Sequence, residues 1–177
     1  GVVGSRVVAH VAMIFSWESW WATDLDSRPS RDVEYIHQVH RLYGALRAAG
    51  ITVDMVAPGA DLSAYRFVVV GSLTLVRDSE AQALDDYVAA GGTALISYFS
   101  GIVDENDRVR LGGYPGAFRS MLGISIDEFF PLDADETVTL DDGSPASIWS
   151  ERIRLRGAEA VSSFTSGTLA GWPALTR

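Results

Sequence analysis

The chain has 177 residues, 47% of them hydrophobic, no cysteine and a formal net charge of −9. Such a length suits one domain with a sizeable core, and the composition is that of a globular chain, not a disordered one. The acidic balance argues against a nucleic-acid or anionic-membrane surface, and the missing cysteines exclude disulfides, thiolate zinc sites and a cysteine nucleophile.

No apolar run is long enough to span a bilayer, and "GVVGSRVV" lacks the regions of a signal peptide, so a cytoplasmic protein is expected. Gly1 in place of methionine, and an extended "GWPALTR" that stops before any partner strand, read as the cut ends of a larger protein.

In chain order, "RVVAHVAMIF" (6–15) is a β-rich apolar run, expected as a strand covered on both faces and holding His10. An opening loop, "SWESWWATDLDS", follows. "RDVEYIHQVHRLYGALRAAG" then places Val33, Ile36, Val39, Leu42, Tyr43 and Leu46 at helical spacing, with Ser30 or Asp32 as cap and Gly50 as stop. "ITVDMVAP" and "YRFVVVGS" are the second and third strands. "DSEAQALDDYVAAGG" is the second helix, capped by Asp78 or Ser79 and closed by Gly91 and Gly92, and "TALISYF" is the fourth strand.

Strands alternating with helices over short links predict an open, doubly wound α/β sheet. Beyond Gly112 the rhythm weakens. "YPGAFRSMLG" predicts a short helix and "ISIDEFFPL" an edge strand. "ETVTLDDGSPASIWSERIRL" predicts a hairpin turning near Asp142 and Gly143, and the last twenty residues predict another strand pair. The whole of 1–177 reads as one domain, a doubly wound core over 1–130 and a β-rich appendage over 131–177.

Ligands of such sheets bind beyond the carboxyl ends of the strands, where "SWESWW" and "SGIVDENDR" both fall. Neither carries the glycines of a dinucleotide or phosphate loop. "SYFSGI" offers Ser97 or Ser100 to a nucleophile elbow, but Tyr98 stands where Ser100 would need a small residue. All histidines (His10, His37, His40) lie early in the chain, so no late base completes a triad. His37 and His40 share a helical turn and would need a third ligand such as Asp24 or Asp26; the favoured reading puts His40 beside the buried face and His37 in solvent. No acidic pair among Glu18, Asp24, Asp26, Asp104, Glu105, Asp107, Asp133, Asp135, Glu136, Asp141 and Asp142 is singled out for glycosidase chemistry, and no EF-hand is formed. For Trp17, Trp20 and Trp21 three readings stand: core packing under a loop, sugar stacking, and, preferred, a contact with another domain or subunit.

The segments "SWESWWA", "YIHQVHRLYGALRAAGITVDMVAP", "DLSAYRFVVVGSLTLV", "YVAAGGTALISYFSGIVDENDRVRLGGYPGAFRSMLGI", "EFFPL" and "PALTR" resemble, in order, the middle domain of family 42 glycoside hydrolases, the bacterial β-galactosidases. "SGIVDENDRV" and "GGYPG" carry the likeness most specifically.

The resemblance implies a flavodoxin-like fold, similar to class I glutamine amidotransferases: an open parallel sheet with helices on both faces and a C-terminal β-hairpin region. It implies a non-catalytic trimerisation domain of a retaining enzyme acting on terminal β-D-galactosides, with the catalytic glutamates on an N-terminal (β/α)8 barrel outside this chain. It implies no cofactor and no metal, partners in that barrel and in neighbouring subunits of a homotrimer, and a closing strand beyond "PALTR". Trp17, Glu18, Trp20 and Trp21 are the expected contact or substrate-pocket wall, with Ser100, Gly101, Asp104, Arg108 and Arg110 as a second patch. A carbohydrate-binding module and a stand-alone hydrolase with an unrecognised site remain as alternatives.

Overall fold

Alternating apolar side chains build a four-stranded parallel sheet in the computed structural model, which describes residues 3–5, 7–25 and 30–177. Gly1, Arg6 and Asp26, which enter the sequence reading, lie outside the described residues. The strands are β1 (Val11–Ile14), β2 (Val53–Val56), β3 (Phe67–Val70) and β4 (Thr93–Ile96), in the order β2-β1-β3-β4. Period-two alternation divides their side chains between two layers. Met13 and Val69 pack with Tyr35 and Val39 of helix α2 (Tyr35–Ala48). Ala12, Ile14, Val68 and Val70 face Leu84 and Tyr87 of α3 (Asp78–Ala89), with Phe118 ahead of the single turn α4 (Arg119–Leu122). Each fully buried aliphatic side chain here contributes roughly 1.5–3 kcal/mol relative to exposure.

Gly92 ends the α3 connection beneath the flat of the Tyr87 ring. A Cβ on Gly92 would lie 2.2 Å from Tyr87 Cζ. Gly92→Ala is therefore expected to destabilise by about 1–3 kcal/mol through overpacking, measured as a lower urea midpoint with an unchanged m-value.

Several local expectations are corrected. The opening loop contains a helix, α1 (Trp17–Thr23), because Ser16 caps it: Ser19 N–H donates to Ser16 Oγ at 3.1 Å. β1 begins at Val11, so His10 is exposed, and its carbonyl accepts from Arg66 N–H at 2.8 Å. His40 is exposed as well as His37, since α2 turns both into solvent. The N-cap of α2 is Glu34, not Ser30 or Asp32; Ser30 Oγ instead accepts from Asp32 N–H at 3.1 Å. The cap of α3 is Arg77, whose N–H donates to Glu80 reaching back from the first turn at 2.8 Å.

The remaining strands pair antiparallel. β5 (Ile124–Pro131) pairs with β8 (Trp149–Leu155), β6 (Thr137–Thr139) with β7 (Pro145–Ser147), and β9 (Ala160–Ser163) with β10 (Pro173–Thr176). The hairpin around Asp142 and Gly143 is thus β6–β7 alone. β8 leaves it because its inward residues Trp149 and Ile153 cover apolar side chains around β5. "GWPALTR" does find a partner, as β10 on β9. The outer edge of β4 has no strand partner among the described residues.

Candidate functional site

Between β1 and β3 the strand order reverses, which opens the crevice beyond their carboxyl ends. α1 closes one side of it. Ser19, fully buried, donates to Leu75 O and accepts from Leu75 N–H, both at 3.1 Å, and Ser16 N–H donates to Tyr35 Oη at 2.7 Å. Burial pushes the Tyr35 phenol up to about 12, so it stays neutral and serves as a fixed acceptor. With its inner side anchored, α1 turns Trp17 and Trp21 outward, whereas Trp20 is half-buried against the cluster of Met13, Tyr35 and Val39. Trp17 stacks on Trp20 with centroids 5.3 Å apart, and Phe15 meets both ring edges. Trp17 and Trp21 remain 58% and 63% exposed, and Leu25 lies beside them in sequence, also exposed.

Glu18 is no free ligand. It takes Arg77 in a bidentate ion pair at 2.6 and 2.7 Å, which joins α1 to the start of α3 and holds its carboxyl below the usual range. Arg77 also reaches Glu80 at 3.1 Å.

The second predicted patch is a loop sewn to the strand ends. Ser100 Oγ is buried and accepts from Leu73 N–H at 3.0 Å, which braces the turn after β4 against the segment after β3. Gly101 has φ +67, and a Cβ there would meet Phe118 Cδ2 at 2.9 Å, so both backbone conformation and space demand glycine. Asp104 accepts from the N–H groups of Asn106 and Arg108 at 2.8 and 3.0 Å; these backbone bonds hold its carboxyl low and shape the turn. Arg110 reaches Asp78 and Val76 O, both at 2.6 Å. Arg108 is exposed.

The two patches converge. Ala22 and Leu25 from one, with Ile102, Val103, Asp107 and Val109 from the other, line a common groove of about 390 Å³. Phe99, Tyr114 and Phe129 complete its aromatic wall. Trp17, Glu18, Trp20 and Trp21 are not among its lining residues, nor are Ser100, Gly101, Asp104, Arg108 and Arg110; the groove adjoins both patches through Ala22, Leu25 and residues within 102–109, with Asp107 as its acidic member.

Two features escaped the sequence reading. The apex of the turn after β4 is Phe99, at φ +57, with Ser97 two residues before it and Gly101 two after. The small-x-apex-x-small spacing of an elbow was therefore present, but centred on a side chain with no chemistry. The other is Glu151 on β8. It is buried against a cavity of about 450 Å³ shared with Tyr98, Phe99 and Trp149, and burial pushes its carboxyl up to about 7. Among the described residues, no group of three or more His, Asp or Glu stands ready for a metal, and no helix is long and apolar enough to cross a membrane.

A family model described as "Beta-galactosidase trimerisation domain" matches residues 9–177. The chain belongs to the β-galactosidase trimerisation domain family. A β-galactosidase from an Arthrobacter species is 49% identical over 176 residues, which are 99% of this chain and 25% of that protein. A Geobacillus β-galactosidase, BgaB, is 45% identical over 179 residues, 99% of this chain and 27% of that one. The crystal structure of β-galactosidase from Bacillus circulans sp. alkalophilus superposes with a TM-score of 0.95 at 35% identity, covering 99% of this chain and 27% of that chain. This trimerisation-family domain thus spans about a quarter of the length of the relatives it matches.

Proposed function

We propose that the chain is the non-catalytic assembly domain of a cytoplasmic β-galactosidase acting on terminal β-D-galactosides, and that it joins three subunits into a ring. The carrying observation is the pair of exposed tryptophans on α1. Trp17 and Trp21 stand exposed on a helix whose inner side is locked by Ser16, Ser19 and Glu18. Rigid, exposed aromatics are the anchors from which interface hot spots are made. Trp17 and Trp21 make the contact in this reading, backed by the half-buried Trp20, with Arg108 at its edge; Glu18, Ser100, Gly101, Asp104 and Arg110 hold the face in shape. The partners are the enzyme's own (β/α)8 barrel and the neighbouring subunit.

The parallel order β2-β1-β3-β4 supports a flavodoxin-like, amidotransferase-like classification. A separate small cluster of Leu132, Val138, Phe164 and Leu169 supports a division into a core over 1–130 and an appendage over 131–177.

The reading expects no galactoside hydrolysis from the chain alone. It also expects full turnover in the complete enzyme after Asp133→Asn or Asp135→Asn, exposed carboxylates away from both patches, assayed with a chromogenic galactoside. Hydrolysis by the isolated chain, or turnover abolished by either substitution, would overturn it.

A further inference from the structure

β8 places Trp149, Glu151 and Ile153 on one face at period two, each buried. The Glu151 carboxylate accepts one hydrogen bond, from Trp149 Nε1–H at 3.0 Å, and forms no ion pair among the described residues. The Trp149 ring in turn meets Phe99 at 5.3 Å and Phe129 at 5.0 Å, and Phe129 stacks on Tyr114 at 4.5 Å. Phe99, Phe129 and Tyr114 are the aromatic wall of the groove between the two patches. A buried carboxyl therefore lies one ring beneath that wall.

The groups facing Glu151 leave its charge unanswered. The end of β4 offers Tyr98, whose hydroxyl donates to Gln38 Oε1 at 3.3 Å and whose ring stacks on Trp149 at 5.9 Å. α2 contributes Arg41, which acts electrostatically on Tyr98. The residue opposite on β5 is Phe129, while Asp127 and Glu128 are paired with Arg152 and Arg154. The β6–β7 hairpin and β10 bring Ala146, Ser147, Ala174 and Leu175 to the cavity.

We propose that Glu151 is a proton-operated latch beneath the docking groove: neutral, it holds the Trp149, Phe99 and Phe129 rings closed, and ionised, it loosens them and weakens partner docking there. The docking half of this rests on the proposed function above. Ionisation strengthens the single indole bond, but a carboxylate in a cavity lined mainly by serine and apolar side chains, without a cation among the described residues there, is relieved only by hydration. Water entering the cavity separates β8 from the turn after β4, and the rings of the groove wall move with it.

The test has two readouts. The Trp149 Nε1–H resonance of the isolated chain, assigned by its disappearance in Trp149→Phe, is followed from about pH 5.5 to about pH 8.5. It is expected to shift with a midpoint near 7 in the native sequence and to stay flat in Glu151→Gln. In the full-length protein, subunit association is expected to weaken at least about tenfold over that range and to be flat in Glu151→Gln. Glu151→Met is the second neutral variant, with the same flat profiles expected. A native resonance that does not titrate overturns the latch, as does an equal pH dependence of association in the neutral variants. A titrating resonance with pH-independent association confines the group to local structure and also overturns the proposal. Absence of a trimer at every pH would instead strike the docking reading.

Discussion

The stability advantage of Glu151→Gln over the native sequence is expected to grow by about 3 kcal/mol between pH 4 and pH 8, measured by urea unfolding at fixed pH. Glu151 is held near 7 in the folded chain against an ordinary value of 4.5, with burial as the cause and the Trp149 bond only partly opposing it. Below about pH 4.5 the carboxyl is protonated whether the chain is folded or not, and contributes no pH dependence. Between about 4.5 and 7 the unfolded chain ionises while the folded chain keeps its proton, so stability falls as pH rises. Above 7 both forms are ionised and the deficit stays constant. Two and a half pH units of mismatch at 1.36 kcal/mol each give the stated size. Glutamine has no proton to lose, so its profile lacks this fall. Parallel pH profiles for the two proteins would contradict the assignment.

Ser19→Ala is expected to destabilise by about 3 kcal/mol, although the change removes one oxygen. That oxygen serves both Leu75 N–H and Leu75 O in a fully buried position. Its loss leaves two main-chain groups without partners, at roughly 1–3 kcal/mol each before relaxation. The same bonds fasten α1 to the segment after β3, so the variant should also expose α1 amides to faster hydrogen exchange. Ser16→Ala is the comparison, because it removes only the helix cap and should cost about 1 kcal/mol. Equal losses for the two serines would mean that Ser19 acts as a helix residue and not as a bridge.

The long apolar periodicities were legible because burial writes them into the sequence. Val11 to Ile14 and Phe67 to Val70 are covered on both faces and read as continuous runs. The stripe Ile36, Val39, Leu42 and Leu46 marks one side of α2. α1 was hidden by its shortness and by tryptophan's modest helix propensity; its signature was the Ser16 to Ser19 cap spacing with Glu18 in the first turn. The helix caps were misplaced because propensity names Ser and Asp, whereas the chain at Arg77 used a Glu80 that reaches back.

For the site, position was legible and role was not. The sequence placed "SWESWW" and "SGIVDENDR" at the ligand end of the sheet, but nothing local announces that the two share a groove through Leu25 and Val109. Glu18 and Arg110 looked like free charges because their partners, Arg77 and Asp78, stand 59 and 32 residues away. Glu151 sat in plain alternation with Trp149 and Ile153, and counting that period would have marked it as buried.

The central claim is that the outward tryptophans of α1 are a subunit contact, and the mass of the full-length protein by sedimentation equilibrium tests it most directly. Trp17→Ala/Trp21→Ala leaves the buried side of α1 untouched, since both rings are mostly exposed, so the folded subunit should persist. The account predicts a trimer for the native sequence and dissociation toward monomer, by at least about tenfold in the association constant, for the double variant. A double variant that remains as fully trimeric as the native protein across the same dilution series would contradict it.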